Sequence, residues 1–222
     1  MKALALVPVR SGSKGIKEKN TRDFCGKPLY RWAVDVGLAT CDATWVTTDI
    51  PGLVLPEGAW KINRPPELCA DDTPMLAVVQ HALKTLDGDV VVLLQPTQPL
   101  RTVKHVREAL WRLSAAHSDS VVSVVPIPAH YSPDYAMKIE DGRLLPFKEP
   151  LPTRRQDCRP AYFRDGTVYV VHREVVEAGS LYGRDCCPYI LPSGESVNLD
   201  TEEDWQRAVA MKGHSDAERK AG

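Results

Sequence analysis

The sequence is short of most features that would settle a function at once. No apolar run approaches membrane-spanning length, which excludes a transmembrane helix. The opening "MKALALVPV" has one lysine and a very short apolar stretch that turns polar without a cleavage-like site, so no secretory signal is expected there. No excess of either charge is present: Lys+Arg 28 against Asp+Glu 29 lacks the basic footprint that general nucleic-acid binding needs. There are no repeats and no low-complexity tracts. The cysteines (25, 41, 69, 158, 186 and 187) show no C-x-x-C spacing, and the histidines are scattered without metal spacing. These read as free thiols in a reducing compartment, with a cytoplasmic location expected. No nucleophile elbow for Ser/His/Asp catalysis occurs, nor either standard phosphate-loop pattern, G-x-x-x-x-G-K-[ST] or G-x-G-x-x-G.

What is present is an alternation of β-rich and helix-period segments, the mark of a mostly parallel sheet covered by helices. Strands are predicted at 3–9, 43–48, 89–95, 119–125 and 166–172, the third apolar on both faces as a central parallel strand should be. Apolar stripes predict helices over 27–39, 74–86 and 103–117. The proline-rich stretch 49–66 reads as loop. Residues 126–165 interrupt the alternation and carry a "DG" turn at 141–142 that predicts a hairpin. One domain over 1–212 is expected, with 126–165 as an inserted arm and 213–222 as a flexible tail.

Several stretches carry chemistry. "LVPVRSGSKGIKEKN" (6–20) runs from a strand end into a small-residue turn with Arg10, Lys14, Lys17 and Lys19 around it. Exposed backbone N–H groups there would form an anion nest, though a solvated basic loop has the same pattern. "LLQPTQPLRT" (93–102) delivers Gln95 to the C-terminal end of a buried strand, where ligands bind in open α/β sheets. It suits substrate positioning or a plain proline-stiffened turn. "SVNLDTEEDW" (196–205) puts Asn198 and Asp200 on one side of an extended segment, in reach of a hard cation such as Mg²⁺. Asp200 with Glu203 also reads as a near capping box for a helix starting at Thr201. "PTRRQDCRPAYFRDG" (152–166) mixes arginines with Tyr162 and Phe163, fitting either a carboxylate-bearing substrate or a salt-bridged surface arm.

Together, "VPVRSGSKGIKEKN", "GKPLYRWAVD", "TTD", "RPPELCADDT", "VQHAL", "VVLLQPTQPLRT", "SVVSV", "RRQD", "DGTVYVV" and "NLDTEEDW" resemble, in this order, the blocks of the acylneuraminate cytidylyltransferases. This is the CMP-sialic acid synthetase family, with its relatives for other nonulosonic acids. The resemblance covers roughly residues 3–209 and implies an α/β, Rossmann-like nucleotidyltransferase fold with helices on both faces and a dimerisation arm. It implies a homodimer and the coupling of CTP to a 2-keto sugar acid, giving a CMP-sugar and pyrophosphate, with Mg²⁺ or another divalent cation. By position it implies nucleotide binding by Arg10, Ser11, Gly12, Ser13, Lys14, Asn20, Arg64, Asp71 and Thr73, with Thr48 and Asp49 alongside. Gln95, Thr97, Arg101, Arg155, Phe163 and Tyr169 fall at substrate-side positions, with Arg155 on the arm reaching across a dimer. Arg10, Lys19, Gln95 and Asp200 take catalytic roles, and Asp200 with Asn198 the metal.

This sequence departs from that family at defined points. The acidic D-x-D reads Asn198-Leu199-Asp200, one charge fewer for a metal. Gln98 replaces a serine in "PTSPLR". Asp165-Gly166 stands for "NG" before the last sheet strand, adding negative charge near a pocket for an anion. The segment after Asp49 is short and proline-rich where a helix is usual. Two alternatives follow: a same-fold nucleotidyltransferase for another nucleotide or sugar acid, or a nucleotide-binding relative with impaired catalysis.

Overall fold

The computed structural model describes residues 1–13 and 15–221, and the side chains of all of these except Arg155 and residues 214–221. In chain order the strands are β1 (Ala3–Val9), β2 (Asp23–Phe24), β3 (Lys27–Pro28), β4 (Ala43–Thr48), β5 (Ala59–Asn63), β6 (Val90–Leu93), β7 (Ser120–Pro126), β8 (Met137–Glu140), β9 (Arg143–Pro146), β10 (Tyr162–His172) and β11 (Cys186–Ile190). The α-helices are α1 (Leu29–Thr40), α2 (Met75–Leu83), α3 (Val103–Ala116), α4 (Arg173–Glu177) and α5 (Glu202–Ala221).

The described residues form one seven-stranded sheet in the order β11-β7-β10-β6-β1-β4-β5, plus the small pairs β2-β3 and β8-β9. β1, β4, β5 and β6 pair in parallel; β10 alone runs against its neighbours β6 and β7. β1 and β6 are buried along their whole length, which is why both read as uninterrupted apolar runs. Successive side chains of β1 feed opposite cores. Ala3, Ala5, Val7 and Val9 pack with α1 and α3, while Leu4 and Leu6 pack with Val79 and Leu83 of α2 and Val176 of α4. Helices therefore cover both faces, as expected from the sequence.

A third, smaller core joins Ile16, Phe24 and Leu29 to Val197, Leu199, Trp205 and Ala208. It presses the loop after β1 against the segment that leads into α5. Phe24 sits edge-on to Trp205, ring centroids 5.3 Å apart. Gly15 belongs to this contact, because a Cβ there would collide with the main-chain carbonyl of Asp200.

Two expectations are corrected, and one strand appears that was not expected. The stretch 49–66 is not all loop: Ala59–Asn63 is strand β5, pairing in parallel with β4. "AWKIN" is an edge strand with its exposed side chains outward, so no buried run announces it, and the prolines flank it rather than enter it. The last predicted strand begins at Tyr162, not 166, because its register shifts between Arg164 and Tyr169 and hides the alternation. "CCPYI" is the edge strand β11, parallel to β7, which places Cys186 and Cys187 in the sheet. The predicted "DG" hairpin turn is present: Asp141 and Gly142 both take positive φ between β8 and β9. Among the described residues no helix is long and apolar enough to cross a membrane.

Candidate active site

The topology gathers strand ends on one edge. β1 and β4 finish level, Val9 beside Thr48, and Leu93 of β6 pairs with Leu6, so Arg10, Asp49 and Gln95 emerge together. Because β10 runs the other way, its beginning lies on this same edge. This is the crevice outside the carboxyl ends of the parallel strands, where open α/β sheets bind ligands.

A cavity of about 320 Å³ opens there, lined by Pro8, Arg10, Ser13, Gly15, Lys19, Asn20, Arg64, Asp71, Met75, Gln95, Pro96, Thr97 and Asp200. Arg10 forms an ion pair with Asp71 and donates to the carbonyl oxygen of Cys69 at 3.4 Å. Its own carbonyl accepts from Asn20 Nδ2 at 2.9 Å, so the buried Asn20 fixes the turn. Asp49 holds the rim: it accepts from the Ser11 amide at 2.8 Å and the Ser11 hydroxyl at 2.5 Å. Burial would push the Asp49 carboxyl up, but those two donors hold it below its ordinary value. Arg64 is buried, donating to the Thr47 carbonyl at 2.8 Å; burial lowers its guanidinium pKa. Lys19 donates to the Leu199 carbonyl at 2.6 Å and stands 3.5 Å from Asp200 Oδ1. Three cations thus converge on one cavity with an amide, Gln95, at its floor. Cys69, beside Arg10, has its thiol pushed up by burial and by Asp49, so no thiolate nucleophile is offered.

Asp200 was expected to serve a metal or a helix cap. The cap lies one residue later: Thr201 Oγ1 accepts from the Asp204 amide at 3.1 Å, and Asp204 Oδ2 accepts from the Thr201 amide at 2.9 Å. The Asp200 carboxylate is left facing the cavity, where it accepts from Asn198 Nδ2. The donor set at this point is one carboxylate and one amide. That fits a hard cation of the Mg²⁺ kind, which is characteristically held by one or two carboxylates and substrate phosphates. Among the described residues no group of three or more His, Cys, Asp or Glu gathers for a metal.

Arg101, expected on the substrate side, does not line this cavity. It is buried and clamps the main chain, donating to the carbonyls of Gln95 at 2.7 Å, of Gly166 at 3.5 Å and of Thr167. Burial lowers its pKa, with the Asp165 charge opposing. The clamp ties the exit of β6 to the irregular stretch of β10. There Gly166 takes φ +80°, and a Cβ would stand 2.7 Å from Gln95 Oε1. Gln98 is buried too, its amide donating to the Asp165 carbonyl, so it braces the loop instead of crowding the cavity. Asp165 turns its carboxylate on the Thr167 amide, at 3.1 Å, and on the Thr167 hydroxyl.

A second cavity of about 390 Å³ adjoins the first and shares Asp200 with it. Phe163, Arg164, Asp165, Ser196, Val197, Asn198, Asp204 and Arg207 complete its lining. Of the remaining expected residues, Ser11 and Gly12 sit exposed on the loop at the rim, and Thr73 lies half-buried off the wall. Tyr169 packs toward α2 and α4, where burial pushes its hydroxyl up to about 12. Lys14 and the Arg155 side chain lie outside the described residues. Sequence reasoning missed Met75, whose apolar side chain gives no chemical signal, and Arg207, which lies among charged residues on a largely polar helix.

A family model described as cytidylyltransferase matches residues 4–189. An N-acylneuraminate cytidylyltransferase of Streptococcus agalactiae is 28% identical over 94% of this chain and 53% of its own length. The chain therefore spans about half the length of that relative. A CMP-N,N'-diacetyllegionaminic acid synthase of Legionella pneumophila is 32% identical, covering 92% of this chain and 94% of its own. Among solved structures, CMP:2-keto-3-deoxy-manno-octonic acid synthetase complexed with CTP superposes with TM-score 0.75 at 17% identity, over 97% of this chain and 100% of that one.

Proposed function

The chain belongs to the cytidylyltransferase family, and from that premise we propose that it couples CTP to a 2-keto sugar acid, sialic acid or a related nonulosonic acid, releasing pyrophosphate. One observation carries the reading: a single cavity holds Arg10, Lys19 and Arg64 beside Gln95 and Asp200, and opens through Asp200 onto a second one. The acceptor's anomeric hydroxyl attacks the α-phosphorus, the bond from that phosphorus to the β-phosphate's bridging oxygen breaks, pyrophosphate leaves, and the hydroxyl's proton passes to solvent. Such a displacement needs positioning and charge neutralisation, not a covalent nucleophile. Arg10, Lys19 and Arg64 neutralise the phosphates, and the main chain at Gly12 and Ser13 supplies N–H groups at the rim, the Ser11 amide being held by Asp49. Gln95, fixed by the Arg101 clamp, orients the acceptor. Asp200, with Asn198 beside it, is where a divalent cation would be held, supplying further positive charge at the phosphates when bound.

We also assign a homodimer to the protein, formed through the 126–165 arm. The β8-β9 hairpin leaves Ile139 76% and Leu144 65% exposed, and Phe147, just past it, is 71% exposed. An isolated two-stranded hairpin with such a surface needs a partner. Arg155 on this arm is read as an acceptor contact across the dimer, and residues 213–222 as a tail apart from the 1–212 domain. A cytoplasmic location accords with six cysteines and no disulfide among the described residues.

The test is pyrophosphate release with CTP, Mg²⁺ and a panel of sialic acid, N,N'-diacetyllegionaminic acid and 2-keto-3-deoxy-manno-octonic acid. Turnover with a nine-carbon acid is expected. Turnover with the octonic acid alone would give the same-fold alternative. CTP binding without pyrophosphate from any acid would mark an impaired relative.

A further inference from the structure

This inference rests on the acceptor reading above. A 2-keto sugar acid carries a carboxylate beside its reacting carbon, and recognising it calls for a cation with free donors. The nucleotide cavity already commits its cations to phosphate and the Arg155 side chain lies outside the described residues, so among the described residues the second cavity is the adjoining place for the acid. Its wall carries the carboxylates of Asp165, Asp200 and Asp204, which would repel an anion if left bare. Each has local partners (the Thr167 amide and hydroxyl for Asp165, Asn198 and Lys19 for Asp200, Thr201 for Asp204), but of these only Lys19 brings positive charge, so an anion here needs a further cation.

Of the two guanidiniums on that wall, Arg164 is engaged. It donates to the Tyr182 hydroxyl and lies 4.9 Å from that ring's centroid. Arg207 makes no hydrogen bond or ion pair among the described residues. It stands one turn beyond Asp204 on the exposed side of α5, and its charge adds to the Thr201 hydrogen bonds that lower the Asp204 pKa. We propose that Arg207 is a specificity-determining residue, whose guanidinium receives the carboxylate of the acceptor acid in the same chain that supplies Asp200. Phe163, on the same lining, offers the apolar surface against which the rest of the sugar acid lies.

The test is calorimetric titration of protein saturated with a non-hydrolysable CTP analogue, using the three acids above and the 1-carboxamide of sialic acid. Arg207→Gln is expected to weaken the bound acid about ten- to hundredfold, the weight of one hydrogen bond to a charged group, with affinity for the CTP analogue unchanged. Arg207→Lys should recover part of the loss, and the carboxamide should bind wild type and Arg207→Gln alike. Equal affinity of Arg207→Gln and wild type for the acid would overturn the assignment. So would a parallel loss of CTP-analogue binding, which marks a structural role. If wild type binds the CTP analogue but none of the acids, the acceptor reading itself falls and the assignment with it.

Discussion

The ion pair between Arg10 and Asp71 means that a triphosphate must displace a carboxylate to reach the guanidinium. Arg10→Ala is therefore expected to lower CTP affinity about ten- to hundredfold, read by calorimetry. Unchanged affinity would remove Arg10 from the phosphate site. At Asn198 the amide now lends a hydrogen bond to Asp200. Asn198→Asp would replace that donor with a second negative charge. The variant should melt lower than wild type without metal and gain more from added Mg²⁺; identical melting shifts would argue against a cation there. His105 is buried on α3 with Glu195 Oε2 at 3.1 Å. Burial lowers its pKa from the ordinary 6.5 even though Glu195 opposes. A depressed folded-state pKa makes its contribution complete above about pH 6.5 and erodes it as pH falls. Melting temperature should decline between pH 7 and 5, and the decline should be shallower in His105→Gln. The placing of Arg10 and Asp200 on the cavity wall was legible because a charge just past a strand end, or just before a helix, is visible in one dimension. Arg101 was not, since nothing in "PLR" tells a guanidinium that meets substrate from one spent on three carbonyls. Asp165 was misleading for the same reason: its carboxylate is turned onto the Thr167 amide and hydroxyl, two residues away, through a local turn.

At the scale of elements, the loop after β1 can serve as the proposed phosphate-binding element only because something holds it. The small core of Phe24, Leu199 and Trp205 does so, with Arg22 pairing bidentately with Glu202 at 2.6 and 2.8 Å. Phe24→Ala should cost about 3–5 kcal/mol of stability and weaken CTP binding without touching a ligand contact. Denaturant melts and calorimetry together check both. The irregular stretch of β10 is the second such element. Gly166→Ala there forces a strained φ and a clash with Gln95, expected to cost about 1–3 kcal/mol, with turnover falling further than stability accounts for. The central strands and three main helices could be read from periodicity because β1 and β6 are buried on both faces and each helix has one buried stripe. β5 and β11 could not: an edge strand needs no apolar run, and its pairing comes from the neighbouring strand.

For the molecule as a whole, the exposed Ile139, Leu144 and Phe147 bear on assembly. Ile139→Asp with Leu144→Asp should convert a sedimenting dimer into a monomer; a wild-type monomer would refute the arm as an interface. The α/β class and the single sheet were readable at this scale, whereas the antiparallel course of β10 was not, because strand direction leaves no mark on composition. That course has a further consequence. Pro126 at the end of β7 and Tyr162 at the start of β10 face each other as paired neighbours. Residues 127–161 are thus a cassette closed at its base by the ladder that runs from Tyr162–Pro126 through Phe163–Val125 to Arg164–Val124. Exchanging 127–161 between relatives would leave the sheet intact; on the proposed function such a chimaera is expected to change which acid is accepted while CTP affinity, read by calorimetry, stays as it was.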